Sequence, residues 1–305
     1  MTRSPLCVFL VFVLAALAMA GCGLGPGEGP RDVRLVVTRD FGARTVGSAR
    51  VSEVPGEQTV MRFLQRRFEV RTRYGGGFVQ AIEGLAGGRE VDWFYYVNGV
   101  DPRKGAAATR LHPGDRVWWD RHDWGATISI PAVVGSFPEP FRSGTGGERR
   151  PVRIDCAPGS DAACDEVRRR METAGVTTAQ ARLGSGAGRE TLRLVVGPWA
   201  AVRRDPAAGK LEQGPANSGV YARPATDGRT IATLGPDGRP ASVLGAGTGL
   251  VAATRYREAQ PTWVVTGTDA RGVLTAARSL AEGTLVNRFA VALPGGRPVS
   301  LPEAR

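Results

Sequence analysis

Residues Trp93–Gly99 read WFYYVNG, between RTRYGGGFVQAIEGLAG (Arg71–Gly87) and LHPGDRVWWDRHDW (Leu111–Trp124). Aromatic residues are 7% of the chain, yet three aromatic pieces with tight turns crowd into this one region. In a strand, successive side chains point to opposite faces. Trp93, Tyr95 and Val97 therefore share one face, and Phe94, Tyr96 and Asn98 the other. Asn98-Gly99 supplies the two positive φ angles of a tight turn. One face can fill a core. The other is left with rings for a partner or a flat ligand.

Working outward, Val33–Thr38 and Val46–Val54 read as strands, and Pro55-Gly56 breaks the second. Thr59 can cap a helix in which Val60, Phe63, Leu64 and Phe68 recur at helical spacing. Glu69–Tyr74, Phe78–Ile82, Asp92–Val97 and Arg116–Asp120 are further strands, with a turn at Pro113-Gly114-Asp115. Two strands, one helix, then several strands is the order of a β-grasp, a twisted sheet folded around a single helix.

The order of motifs is specific. A V-x-x-x-L helix (Val60–Leu64) is followed by YGGGFV (Tyr74–Val79), IEGL (Ile82–Leu85), WFYYVNG and LHPGD (Leu111–Asp115). Over about residues 33–127 the chain resembles the transcobalamin C-terminal-like domains, soluble-ligand-binding β-grasp modules also grouped as DUF4430. The resemblance implies ligand binding, with cobalamin or another corrinoid as the first candidate. In animal cobalamin carriers this module closes over the corrin ring beside a helical toroid of prenyltransferase-type repeats. No repeats of toroid length occur here. A corrinoid ligand would need a separate toroid polypeptide or a different mode. An energy-coupling-factor transporter or a separate prenyltransferase-like toroid protein are the partners the resemblance implies.

A ligand site on this module is expected at Tyr74, Gly75, Gly76, Gly77, Tyr96, Asn98, Trp119 and Trp124. Tyr and Trp offer large contact area at low entropic cost and keep a polar tip. The glycines let backbone groups approach polar ligand edges. The alternative is that these rings are core and the glycines only a turn. Trp93 and Trp118 read as core rings. His112 and His122 are the two histidines, and each reads as structural, with metal or cobalt ligation by His122 the lesser reading. No metal site is expected.

The N-terminus is a targeting segment. Arg3 precedes an apolar run, Leu6–Ala20, too short to span a membrane comfortably. It ends in AMAGC (Ala18–Cys22), which resembles a bacterial lipobox. Residues 1–22 are thus expected to be a lipoprotein signal peptide with Cys22 as the lipidated residue. Residues 23–32 form a Gly/Pro tether. The protein would sit outside the cytoplasm, lipid-anchored to the outer face of the cell membrane. Cys156 and Cys164, in CAPGSDAAC, are expected to form a disulfide in that compartment, with a metal pair the minor reading.

The chain has 305 residues and a formal charge of +11, with Lys104 and Lys210 as its two lysines. The arginine, glycine, alanine and proline content reads as GC-rich codon bias, so the basic balance is discounted as a nucleic-acid signal. No basic run alternates with stacking aromatics as single-strand binders require. No nucleic-acid partner is expected.

Residues 128–151 hold Pro131, Pro138 and Pro140 and then SGTGGERR (Ser143–Arg150), an expected extended linker. Residues 152–305 alternate strands and helices. Val152–Asp155, Leu192–Val196, Thr262–Thr266 and Phe289–Leu293 are strands. Cys164–Ala174, with Asp161 as cap, and Ala270–Ala281, with Asp269 as cap, are helices. Gly214–Leu244 reads as hairpins. The fold class is α+β: a β-grasp followed by an α/β layered domain of unknown role.

Two spots in this half could carry chemistry. TGTDARG (Thr266–Gly272) joins strand to helix, where amides can receive an anion, but Asp269 reads as the cap. GPANSGVYAR (Gly214–Arg223) lacks nucleophile-elbow spacing, and no histidine follows His122. The expectation is a non-enzymatic lipoprotein that binds a small ligand for uptake through a membrane transporter, with no resident cofactor. The alternative is a non-enzymatic envelope adaptor that binds protein partners.

Overall fold

The computed structural model describes residues 29–56 and 58–304; the leader, Cys22 and most of the tether lie outside the described residues. Strands β1 (Arg31–Arg39) and β2 (Arg44–Glu53) form an antiparallel pair. Helix α1 (Val60–Gln65) follows, with the Thr59 hydroxyl accepting from the Arg62 N–H as its cap. Then come β3 (Val70–Arg73), β4 (Phe78–Ile82), β5 (Leu85–Ala86), β6 (Val91–Val97) and β7 (Arg116–Asp123). The main sheet runs β2-β1-β7-β6, and β3-β4-β5 is a small second sheet. β7 pairs with β1 in parallel and with β6 antiparallel.

The tether is shorter than its expected span. Gly29 and Pro30 are already buried, Arg31 and Asp32 open β1, and the Val54 N–H donates to the Pro30 carbonyl at 2.9 Å.

The alternation read along WFYYVNG sets which core each face joins. Trp93 and Val97, with Tyr95 beside them, pack with Leu35, Trp119, Phe63 and Leu64 under the helix. Phe94 and Tyr96, with Trp118, point the other way. Asn98 and Gly99 have φ of 54° and 72°, and Val97 and Val100 exchange both backbone hydrogen bonds across them. This is the two-residue turn that Asn-Gly favours. The chain then leaves the sheet, and the partner of β6 is β7 rather than the next residues.

The C-terminal half is built on a seven-stranded sheet, assembled from β8 (Val152–Cys156), β9 (Ala179–Arg182), β10 (Leu192–Pro198), β14 (Gly249–Thr254), β15 (Thr262–Gly267), β16 (Ala290–Leu293) and β17 (Val299–Leu301). Its order is β17-β16-β14-β15-β10-β8-β9, parallel from β15 to β9 and antiparallel on the other side. Between β10 and β14 the chain makes a three-stranded meander of β11 (Ala222–Pro224), β12 (Ile231–Leu234) and β13 (Pro240–Leu244). Helices α2 (Asp161–Thr173) and α3 (Ala270–Arg278) cover one face with Leu194, Val196 and Val265. Val195, Val264 and Ala252 face the opposite side. β14 and β15 are buried along their whole length, as strands covered on both faces must be.

Asp269 caps α3 as expected, its Oδ1 accepting from Gly272 N–H at 2.8 Å, but the helix stops at Arg278. Asp161 is the first residue of α2 rather than its cap; Ser160 holds that place. Cys156 and Cys164 are joined in a disulfide.

Residues 128–151 are not a linker in the sense expected. Ala132–Phe141 is an unbroken buried run. Val134, Phe137 and Phe141 pack with the helix-covered core, while Ile130 and Val133 pack on the opposite face. The prolines and glycines shape a strap, and its apolar residues carry it through the protein. Proline content signalled the irregular backbone, and the apolar residues between the prolines signalled burial.

Candidate functional site

The second face of the aromatic strands is covered by the chain itself. Phe289, just before β16, stands 5.0 Å from Trp118, 5.7 Å from Tyr96 and 5.3 Å from Phe41, measured between ring centres. Phe41 also meets Tyr221 edge-on at 5.1 Å. His122 lies stacked between Phe41 and Phe94 at 4.6 and 4.4 Å. These are the centre distances of well-packed aromatic pairs.

A buried carboxylate organises this seam. Asp120 is fully buried and accepts from Thr38 Oγ1 at 2.5 Å, Phe41 N–H at 3.1 Å and Gly42 N–H at 2.8 Å. His122 Nδ1 lies 2.9 Å from its Oδ1. Thr38 in turn accepts from the Trp118 indole N–H at 2.7 Å. Gly42 has φ of 81°, and a Cβ there would fall 1.9 Å from the Asn287 carbonyl. Only a glycine lets the two halves approach so closely.

The expected ligand residues therefore scatter. Tyr96 and Trp119 are 2% exposed and belong to two different cores, on opposite faces of the sheet. Asn98 is buried, donating to Asp115 Oδ1 at 2.9 Å and the Gly144 carbonyl at 3.0 Å while accepting from Arg116 N–H at 2.9 Å. Its polar atoms hold the turn to the strap and leave nothing for a ligand. Trp124 is half-buried beyond the end of β7. Tyr74 is 86% exposed, with Gly75 and Gly77 exposed after it. The set forms no common surface. Period-two patterning distinguishes the two faces of a strand but not a ligand from a covering domain.

The concavity lies elsewhere. A cleft of about 520 Å³ opens where residues 97–112, the strap at 145–150 and the loop at 255–260 meet. Arg103, Lys104, Arg110, Arg150 and Arg255 line it against two carboxylates, Asp101 and Glu258. Arg103 pairs with Glu258 and donates to the Arg257 carbonyl at 2.8 Å. Arg150 pairs with Glu148 at 2.8 Å and Glu190 at 2.7 Å, both outside the lining. The Tyr95 hydroxyl donates to the Lys104 carbonyl and lies 2.8 Å from Thr109 Oγ1; burial pushes its pKa up to about 12.

Arg255 is 9% exposed and has no carboxylate within ion-pair distance among the described residues. Its Nη2 donates to the carbonyls of Asp101 at 3.1 Å and Pro131 at 3.3 Å, and its Nε has no partner. Burial, with the like charge of Arg103, pulls its pKa down to about 10, against the opposing charge of Asp101. His112 sits on the wall with its pKa raised by its hydrogen bond to Asp115. None of these residues was singled out as a ligand group from the sequence. The signal was present in DPRK (Asp101–Lys104) and RYRE (Arg255–Glu258), charged runs directly after the two-residue turn and a buried strand.

Among the described residues, no three His, Cys, Asp or Glu side chains gather as a metal set. Residues 57–123 match the family model of a domain of unknown function, DUF4430. A crystal structure of a candidate metal-binding protein from Ruminococcus gnavus is similar at 12% identity and a TM-score of 0.26, over 30% of this chain and 97% of that one. No curated protein matches the chain.

Proposed function

We propose that this is a non-enzymatic, lipid-anchored protein of the cell envelope that captures a small ligand in the cleft between its two halves. The observation that carries the reading is the cleft itself. Three segments far apart in sequence wall it, and its lining mixes charged groups with apolar Val97, Val100 and Pro102. Pockets at the junction of two structural units are the usual home of small ligands. The lipobox-like AMAGC at Ala18–Cys22 supports anchoring. The resemblance to transcobalamin C-terminal-like domains makes cobalamin the first named ligand to try. Uptake through an energy-coupling-factor transporter, or with a separate toroid protein, is the role that ligand would imply.

The test is hydrogen exchange of the mature, detergent-solubilised chain with and without each ligand of a panel that includes cyanocobalamin. Protection should concentrate in residues 97–112, 145–150 and 255–260. A ligand that binds and protects a different surface would sink the cleft as the site.

A further inference from the structure

Ionised side chains are almost never buried without a partner, because desolvating a charge costs several kcal/mol unless an opposite charge or full hydrogen bonding offsets it. Arg255 breaks that rule. It is nine-tenths buried, holds two carbonyls, faces no carboxylate at contact distance and leaves Nε without an acceptor. Arg150, on the same cleft wall, also has a buried Nε without a partner. Lys104, at the exposed rim, makes no hydrogen bond or ion pair through its ammonium among the described residues. The surplus is directional. Arg103 is engaged by Glu258 and Arg150 by Glu148 and Glu190, so the cations on the wall with no carboxylate at contact distance include buried Arg255 and exposed Lys104.

We infer that the cleft takes a small oxyanion, a molecule bearing carboxylate or phosphate groups, whose charge adds to that of Asp101 in offsetting Arg255 and meets Lys104 at the rim. This rests on the cleft being the ligand site. Lys104 meets the anion at the rim, where a flexible ammonium can follow ligands of different shape. Arg255 and Arg150 act mainly as buried field beneath it, since their orphan Nε atoms are closed off from solvent. A low-dielectric wall strengthens such a field over its value in water. The aromatic strands contribute by fixing the rim: the Tyr95 hydroxyl holds the Lys104 carbonyl.

The experiment is calorimetry of the mature, detergent-solubilised chain with pyrophosphate, citrate and cyanocobalamin, at low and high salt. At least one of the two anions should bind, and its affinity should fall as salt rises. Lys104→Gln, which removes the contact, should weaken it roughly tenfold, and Arg255→Gln, which removes a buried field, should weaken it several-fold. Arg255 also ties Asp101 to Pro131, so Arg255→Gln is compared with the wild type by thermal melting first. Lys104→Gln, at the exposed rim, tests the claim without that complication. Cyanocobalamin binding that protects the cleft and does not fall with rising salt, while neither anion binds, overturns the anionic class and leaves the cleft as the site. Anion binding that both variants leave unchanged overturns the inference. Binding of any probe that protects only other residues overturns the cleft reading itself.

Discussion

Two of the regions where the halves of this protein meet have opposite chemistry. The seam around Phe289 is aromatic and closely packed, and its buried carboxylate, Asp120, has both oxygens engaged. The cleft is cationic and open, and it contains guanidinium nitrogens without acceptors. The first is what a junction needs in order to hold. The second retains electrostatic stress that packing alone would have removed. A buried charge with its partners in place argues for stability, and one with no carboxylate at contact distance leaves room for an anionic ligand to stabilise it.

The seam should respond to loss of volume, and most strongly at its centre. Phe289→Ala removes the ring that Trp118, Tyr96, Phe41 and His122 all touch. The expected loss is about 3–5 kcal/mol in denaturant unfolding, with little dependence on salt. A loss below about 1 kcal/mol would mean that the strap, not the rings, holds the halves together. Asp120→Asn comes next. An amide cannot accept at both ends, so the Gly42 N–H, the Phe41 N–H or the Thr38 hydroxyl loses its acceptor. The expected cost is about 2–3 kcal/mol. If the variant unfolds like the wild type, the carboxylate does not organise the seam.

Much of the fold was legible because it depends on local periodicity. The alternation through Trp93–Val97, the Thr59 and Asp269 caps and the Asn98-Gly99 turn are local signals with local causes. β14 is not legible in the sequence, since a short run of Gly, Leu, Val and Ala carries no period that separates a buried strand from other buried structure. The site was the least legible part. Aromatic residues attracted attention as ligand groups, yet Tyr96 and Trp119 serve two cores. Arg255 lies more than 140 positions beyond Lys104. Their meeting depends on how two sheets dock, and spacing in sequence does not encode that. The basic surplus that points to the cleft looked like compositional bias, because a charge count does not show where the charges converge.

The smallest effect sharpens the contrast from the cleft side. His112 is half-buried, and its Nδ1 stands 3.5 Å from Asp115 Oδ2. The hydrogen bond to Asp115 raises its pKa above the ordinary 6.5; burial opposes this, the charge of Asp115 adds to it and Arg110 subtracts. A histidine whose folded pKa is raised contributes stability that is fully present below the unfolded value. That contribution is lost as pH rises through the folded one. The side chain is about one-third exposed, so solvent screening keeps the amount well under about 1 kcal/mol. The wild type should therefore gain slightly on His112→Gln at pH 5, and the gap should narrow toward pH 8, read from urea midpoints at several pH values. The protonated imidazolium also adds a charge to the cleft wall. An oxyanion bound there should hold the proton more firmly and move the convergence to higher pH. A gap that stays constant across the range would show that His112 carries no charge of consequence. A convergence point unmoved by a bound anion would separate His112 from the ligand.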